Sequence, residues 1–218
     1  MEIYFLGGFL FLSIFIVVII FIGYLTGFAL YQFRFRELQN RGEAAVRRVV
    51  LFNFPAPKYH LLNNITIPFE DGTTQIDHVL ISTKGIFVIE TKDYSGWIFG
   101  NANSKHWMQV IYKVKNQFQN PLHQNYLHVK SIQKLMDFLP EGQIHSVVVF
   151  TGKGEFKTPM PKNVIYLNNL AEYLRGFQED TISINRLEFC VGRLECKRYE
   201  LTGKTDIQHQ AYLAKKFG

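Results

Sequence analysis

Two short apolar runs, Ile76–Ile81 and Ile86–Ile89, flank the polar stretch Ser82-Thr83-Lys84-Gly85. Both are rich in Val and Ile, which favours strands, and a glycine at the fourth position suits a type I turn. The pattern predicts an antiparallel hairpin in which Ser82 faces Gly85. Counting outward from there sets Asp77 against Glu90 and Gln75 against Lys92. Alternation along the strands then turns Asp77, Glu90 and Lys92 to one face. The other face carries Ile76, Leu80, Phe87 and Ile89, interrupted by His78 and Thr91. Near the turn both faces are apolar, so the hairpin should be covered on both sides.

The remaining chain divides by the same reading. Ile3–Tyr31 contains no charged residue and is long enough to cross a bilayer as a helix. Arg34–Phe54 shows a helical stripe of Leu38, Ala45, Val46, Val49 and Phe52, stopped by Pro55 and Pro57. Tyr59–Pro68 predicts a first strand, which Asp71-Gly72 turns into the hairpin. Asp93–Tyr112 reads as short strands and loops around Trp97, Phe99 and Trp107. These aromatics would cap a sheet or, less commonly, stack on bases. Asn120-Pro121 is a helix start, with a stripe of Leu122, Tyr126, Val129, Ile132, Leu135, Met136 and Leu139 behind it. Ser146–Phe150 is an uninterrupted apolar run, as expected for a central strand buried on both faces, and Val164–Leu167 is a further strand. The strand–helix–strand order predicts parallel additions to the sheet. Leu170–Phe177, Ile184–Leu194 and Asp206–Phe217 are expected helices.

Charge changes this picture in two places. The chain is basic, with a net charge of +6 and pI near 9.2, which suits nucleic acid or anionic lipid as a partner. Arg34, Arg36, Arg41, Arg47 and Arg48 all follow the uncharged run, and no basic side chain precedes it. The positive-inside rule therefore predicts a single-pass anchor in the cell membrane, with the N-terminus outside and the C-terminal domain cytoplasmic. A cleaved signal peptide is the competing reading, opposed by Glu2 and by the length of the run. Cys190 and Cys196 are too few for a zinc site, and free thiols are expected.

The chemistry gathers at the hairpin. Two carboxylates on one buried face, Asp77 and Glu90, disfavour joint ionisation unless a cation neutralises them. A salt bridge to Lys92 is one answer. Mg²⁺ or Mn²⁺ held by Asp77 and Glu90 is another, with Lys92 left to orient or deprotonate an attacking water or to stabilise phosphate charge. Asp, a gap across a hairpin, then Glu-x-Lys is the metal-site pattern of restriction-endonuclease-like nucleases.

Around it stand Gly42-Glu43, Gln75-Ile76-Asp77-His78-Val79, Gly85–Lys92, Gly96-Trp97-Ile98, Trp107 and Asn120-Pro121-Leu122-His123-Gln124. In this order and spacing, over roughly Arg41 to Phe150, they closely resemble the NERD family, the nuclease-related domain. The resemblance implies a restriction-endonuclease-like α/β core and suggests DNA processing. It also implies that Glu43 adds a metal or water ligand, where the bare sequence offers equally an i,i+4 pair with Arg47. Gln124 would orient a ligand or a phosphate, or be plain helix surface. Two departures stand out: Ile76 replaces a proline common before the aspartate, and His128 takes the place of Tyr in a Gln-x-x-x-Tyr motif from Gln124. His123 and His128 receive no role.

The expected architecture is thus α/β: an N-terminal single transmembrane helix (residues 1–33), a juxtamembrane helix (34–57), a NERD-like core (41–150) and a C-terminal completion (151–218). A mixed sheet flanked by helices carries the site. The expected function is metal-dependent hydrolysis of DNA by Asp77, Glu90, Lys92, Glu43 and Gln124. The alternative is a non-catalytic, membrane-tethered DNA- or protein-binding module of the same fold.

Overall fold

The computed structural model describes residues 17–27, 41–70 and 72–199. The chain divides into two units, residues 1–40 and 41–218. In the first, residues 17–27 form helix α1. Among the described residues, no helix is long and apolar enough to cross a membrane. The rest of the expected span lies outside them, as do the expected helix Asp206–Phe217 and residues 34–40 of the juxtamembrane helix.

The second unit begins with α2 (Arg41–Asn53), followed by β1 (Tyr59–Phe69), β2 (Gly72–Ser82) and β3 (Gly85–Lys92). Three short strands come next, β4 (Gly96–Phe99), β5 (His106–Ile111) and β6 (Val114–Gln119), and then α3 (Pro121–Leu135). The chain closes with β7 (Ile144–Phe150), β8 (Gly154–Phe156), β9 (Val164–Tyr166), α4 (Leu170–Arg175) and α5 (Ile184–Lys197).

One sheet was expected, and the described residues form two. The first has the order β1-β2-β3-β7-β9, and the second has the order β6-β5-β4-β8. In the first, β1, β2 and β3 are antiparallel, while β7 and β9 add in parallel, as the strand–helix–strand order predicted. Short polar strands such as β6 and β8 carry too little apolar pattern to be read from sequence.

The first sheet is covered on both faces. On one, Val79, Ile81, Ile86 and Val88 meet Val129 and Ile132 of α3, Met136 just after it, and Leu187, Cys190 and Leu194 of α5. On the other, Leu80, Phe87, Ile89, Val147 and Val149 meet Val46 and Val50 of α2 and Leu170 and Leu174 of α4. The second sheet packs Ile98, Trp107, Phe118 and Phe156 against Val148, Phe150 and Val164 of β7 and β9. Both cysteines are free on α5, Cys190 buried and Cys196 exposed.

Two expected helix faces are rotated. In α2 the buried line runs Val46, Val50, Phe54, and Phe52 is 88% exposed. A four-residue step from Val46 reaches Val50, not Phe52. In α3, Tyr126 is exposed, and the polar Asn125 and His128 are buried instead. Asn125 donates to the carbonyls of Val88 and Val147 and to Ser146 Oγ, at 2.9, 3.1 and 2.9 Å. Its amide spans adjacent strands β3 and β7, a role that a hydrophobic stripe does not reveal.

The hairpin register is as read, Ser82 opposite Gly85 and His78 opposite Ile89. The turn keeps Thr83 and Lys84 at negative φ and places the angle of 137° on Gly85. The ladder between β2 and β3 stops at His78–Ile89, however, so Asp77 and Glu90 are not a cross-strand pair, nor are Gln75 and Lys92. The β1–β2 ladder also skips a step there, between Asn63–His78 and Ile65–Ile76, with Asn64 at φ 51°. This break reverses the alternation. Leu62, Ile65 and Ile67 share one core, and Ile76 joins Val79 and Ile81 rather than Leu80 and Phe87. Strict period-two counting put Ile76 on the wrong face, because it assumes unbroken alternation, whereas one residue on each strand leaves the ladder here and the register is kept on both sides.

Candidate functional site

Asp77 lies where both of its strand's ladders are interrupted. Its Oδ2 accepts a hydrogen bond from the backbone N–H of Thr91 at 2.7 Å, in place of a strand–strand bond. The carboxylate is thereby fixed beside β3 just as β3 leaves β2 and continues along β7. Glu90 and Lys92 pair there with Val148 and Phe150. Alternation along β3 turns both side chains to the face that α3 covers. Glu90 is 2% exposed.

Helix α3 supplies the roof. Asn120 caps it, accepting from the Leu122 N–H at 2.9 Å, while its amide nitrogen donates to three carbonyls of the 101–104 loop. A helix fixed at its first turn presents Gln124 and His128, one turn apart, to the hairpin. Lys92 Nζ donates to Glu90 Oε1 at 2.6 Å and to Gln124 Oε1 at 2.9 Å. His128 Nε2 stands 3.3 Å from Glu90 Oε2, and neither atom has a well-aligned hydrogen bond. On its far side His128 Nδ1 is 2.7 Å from Thr74 Oγ1.

Helix α2 supplies the third wall. Gly42 is buried, and a Cβ there would come within 2.5 Å of Thr151 Oγ1 and 3.0 Å of Asp93 Cβ. Glycine thus lets the first turn of α2 approach the ends of β3 and β7, which brings Glu43 into the electrostatic reach of Asp77 and Glu90.

The charges respond to this crowding. Burial, then the charge of Glu90, pushes the Glu43 carboxyl up to about 7. Burial, then Glu90 and Glu43, raises Asp77 well above the usual carboxylate range, against the opposing Thr91 N–H and Lys92. Burial also works to raise Glu90, but His128 and Lys92 together outweigh it and hold Glu90 low. Burial would lower Lys92, and the adjoining Glu90 more than reverses this. Next to the site, His78 is pushed down to about 4 by burial and Arg47, and its Nδ1 meets Asn63 Oδ1 at 2.8 Å.

The five residues named from sequence therefore belong to one neighbourhood. Lys92, Glu90 and Gln124 are in direct contact, and Glu43 and Asp77 couple to Glu90 through charge. His128 was missed, although its place one turn after Gln124 on the same helix was a usable signal. Thr74 and Asn125 carried none. His123 turns away and reaches the carbonyl of Ala102 at 3.1 Å.

The donor chemistry suits a hard divalent cation. Asp77 and Glu43 have a raised affinity for a proton through burial first and the neighbouring carboxylates second, and that repulsion also favours a cation. Glu90 Oε2 adds a buried oxygen without an aligned donor. Among the described residues, no three or more His, Cys, Asp and Glu are drawn together into a closed metal-binding group.

An α/β domain with an Asp, a Glu-x-Lys and a helix-borne Gln around one strand end is a nuclease-related architecture. The chain belongs to the NERD family: the nuclease-related domain model matches residues 38–151. It is also 34% identical over 183 residues to an uncharacterized protein of Bacillus anthracis, covering 81% of this chain and 84% of that one. No solved structure matches it.

Proposed function

We propose that the domain hydrolyses phosphodiester bonds of DNA with the help of Mg²⁺ or Mn²⁺. The observation that carries this reading is the buried Glu90–Lys92 pair, held by Gln124 beside two further carboxylates that repel Glu90. Asp77 and Glu90 would hold the ion, with Glu43 nearby to take a metal-bound or free water. The cation would supply a polarised water and neutralise phosphate charge.

The protein's own part is positioning. Lys92 has three N–H donors and uses two, so one remains to meet a phosphate oxygen or the attacking water. Gln124 fixes the direction of that donor. His128 buttresses Glu90 from the opposite side, with Thr74 setting the ring orientation.

The test uses the full chain. Mn²⁺ should raise its melting temperature, and Asp77→Asn with Glu90→Gln should remove that rise. Lys92→Met should lower DNA cleavage by about 10²–10³ while binding is nearly retained. Equal cleavage by parent and Lys92→Met would place the chemistry elsewhere.

A second reading, a non-catalytic binding module, is favoured by the closed Lys92–Glu90 ion pair and by the lack of a closed metal group among the described residues. Salt-sensitive DNA binding without cleavage in any metal would select it.

The uncharged run Ile3–Tyr31 and the arginines after it support, in either reading, a membrane tether with the domain in the cytoplasm. Protease added to spheroplasts should then spare the domain. Digestion from outside would overturn this topology.

A further inference from the structure

We propose that the outward face of the second sheet is a platform for single-stranded nucleic acid, on which unpaired bases stack against Trp97. This rests on the reading of the domain as acting on nucleic acid, and adds where and in what form the strand lies.

The two tryptophans of the chain have opposite environments. Trp107 is 1% exposed and packs into the core, whereas Trp97 is 50% exposed on the other face of the same sheet. Register sets Glu155, Trp97, Val110 and Lys115 side by side across β8, β4, β5 and β6. Lys157 Nζ stands 4.9 Å over the Trp97 ring and also contacts Glu155 Oε1 at 2.5 Å. A large ring is thus left half open to solvent, with a cation over it. Beyond it, the β5–β6 turn presents Tyr112, 97% exposed at φ 53°, beside Lys113.

Charge selects the partner. The segments forming this sheet and its loops, residues 94–119 and 151–163, carry Lys105, Lys113, Lys115, Lys153, Lys157 and Lys162 against the carboxylate of Glu155. A polyanion fits such a surface, and a second copy docking face to face would set lysine against lysine. Aromatic rings set among lysines are the arrangement that binds single strands, since every base has a π-face. Duplex DNA keeps its bases stacked internally and offers them no such contact.

Position links the platform to the site. Strand β4 begins four residues after Lys92, and β8 begins four residues after Phe150, the partner of Lys92 in the first sheet. The two connections are bonded to each other, Thr151 N–H to Lys92 O at 3.0 Å and Thr151 Oγ1 to Asp93 Oδ1 at 3.3 Å. A strand leaving the site at this end would pass onto the second sheet.

The exposed tryptophan makes the test direct. Oligothymidylate of about twelve nucleotides, near the span of one such binding groove, is added to the full chain while tryptophan emission is recorded. Quenching is expected, with a matched duplex giving far less. Trp97→Leu should abolish the quenching and weaken oligonucleotide affinity roughly tenfold, while its melting temperature shows that the fold is kept. Lys115→Ala should weaken binding and flatten its salt dependence. Lys92→Met should quench as the parent does, so a failure of catalysis leaves this result standing. The proposal is overturned if oligothymidylate leaves the emission unchanged while the protein still cuts DNA. Equal quenching by duplex or polyphosphate would also overturn it, as would a response to phosphatidylserine vesicles alone.

Discussion

The five-stranded sheet is covered by helices on both faces, whereas among the described residues the four-stranded sheet is covered on one face only, by the end of the first. The consequence shows in their residues. Strands β3 and β7 are near-continuous Val, Ile and Phe, and a charge among them has to be held by named partners, as Glu90 is by Lys92 and His128. Strands β4 to β6 alternate inward Ile98, Trp107 and the partly buried Phe118 with outward Trp97, Val110 and Lys115, and their charges need no partner because water solvates them. Polar groups in the first sheet are therefore a site, and polar groups in the second are a surface. The difference teaches where to look for chemistry and where to look for a ligand's path.

Exchange of the two tryptophans is the severest way to break this comparison. Trp107→Ala empties a fully buried position stacked near Phe150, with ring centroids 6.3 Å apart. It should cost about 3–5 kcal/mol in denaturant unfolding. Trp97→Ala, on the opposite face of the same sheet, should stay within about 0.5 kcal/mol of the parent. Similar losses at both positions would mean that the outward face is covered as well.

A smaller effect sharpens the other half. Gly42→Ala places a methyl 2.5 Å from Thr151 Oγ1, so α2 must shift or the threonine rotate. Overpacking of this kind costs about 1–3 kcal/mol. Because Glu43 moves with the helix, DNA cleavage should fall by more than the melting temperature alone accounts for. Thr151→Ser retains the hydroxyl and serves as the control that leaves the approach of α2 unchanged. A Gly42→Ala chain with full cleavage would remove Glu43 from the site.

Much of the first sheet was legible because its signals are local. The hairpin register follows from Ser82-Thr83-Lys84-Gly85, the α3 start from Asn120-Pro121, and the buried strand from Ser146–Phe150. Each depends on residues within a turn or two of one another. The expected pairing of Asp77 with Glu90 is not among them, since the β2–β3 ladder ends one residue short of it. In the second sheet β4 and β5 fall within the short strands read from Asp93–Tyr112, whereas β6 and β8 were not legible, since both are short and polar and β8 is defined by a partner tens of residues away.

The sequence by itself determined the residue types at the hairpin and the place of its turn, because a tight turn is set by the local backbone. Tertiary structure decided the rest. It interrupted both ladders at Asp77, replaced the expected Asp77–Glu90 pairing with a bond to the Thr91 N–H, and turned Ile76 to the other core. It also brought His128 to within 3.3 Å of Glu90, a contact that its helical spacing from Gln124 hinted at but only the packing of α3 on β3 decided. Such contacts are selected by which buried polar groups can satisfy one another in three dimensions, and that choice is made only when the strands and helices meet.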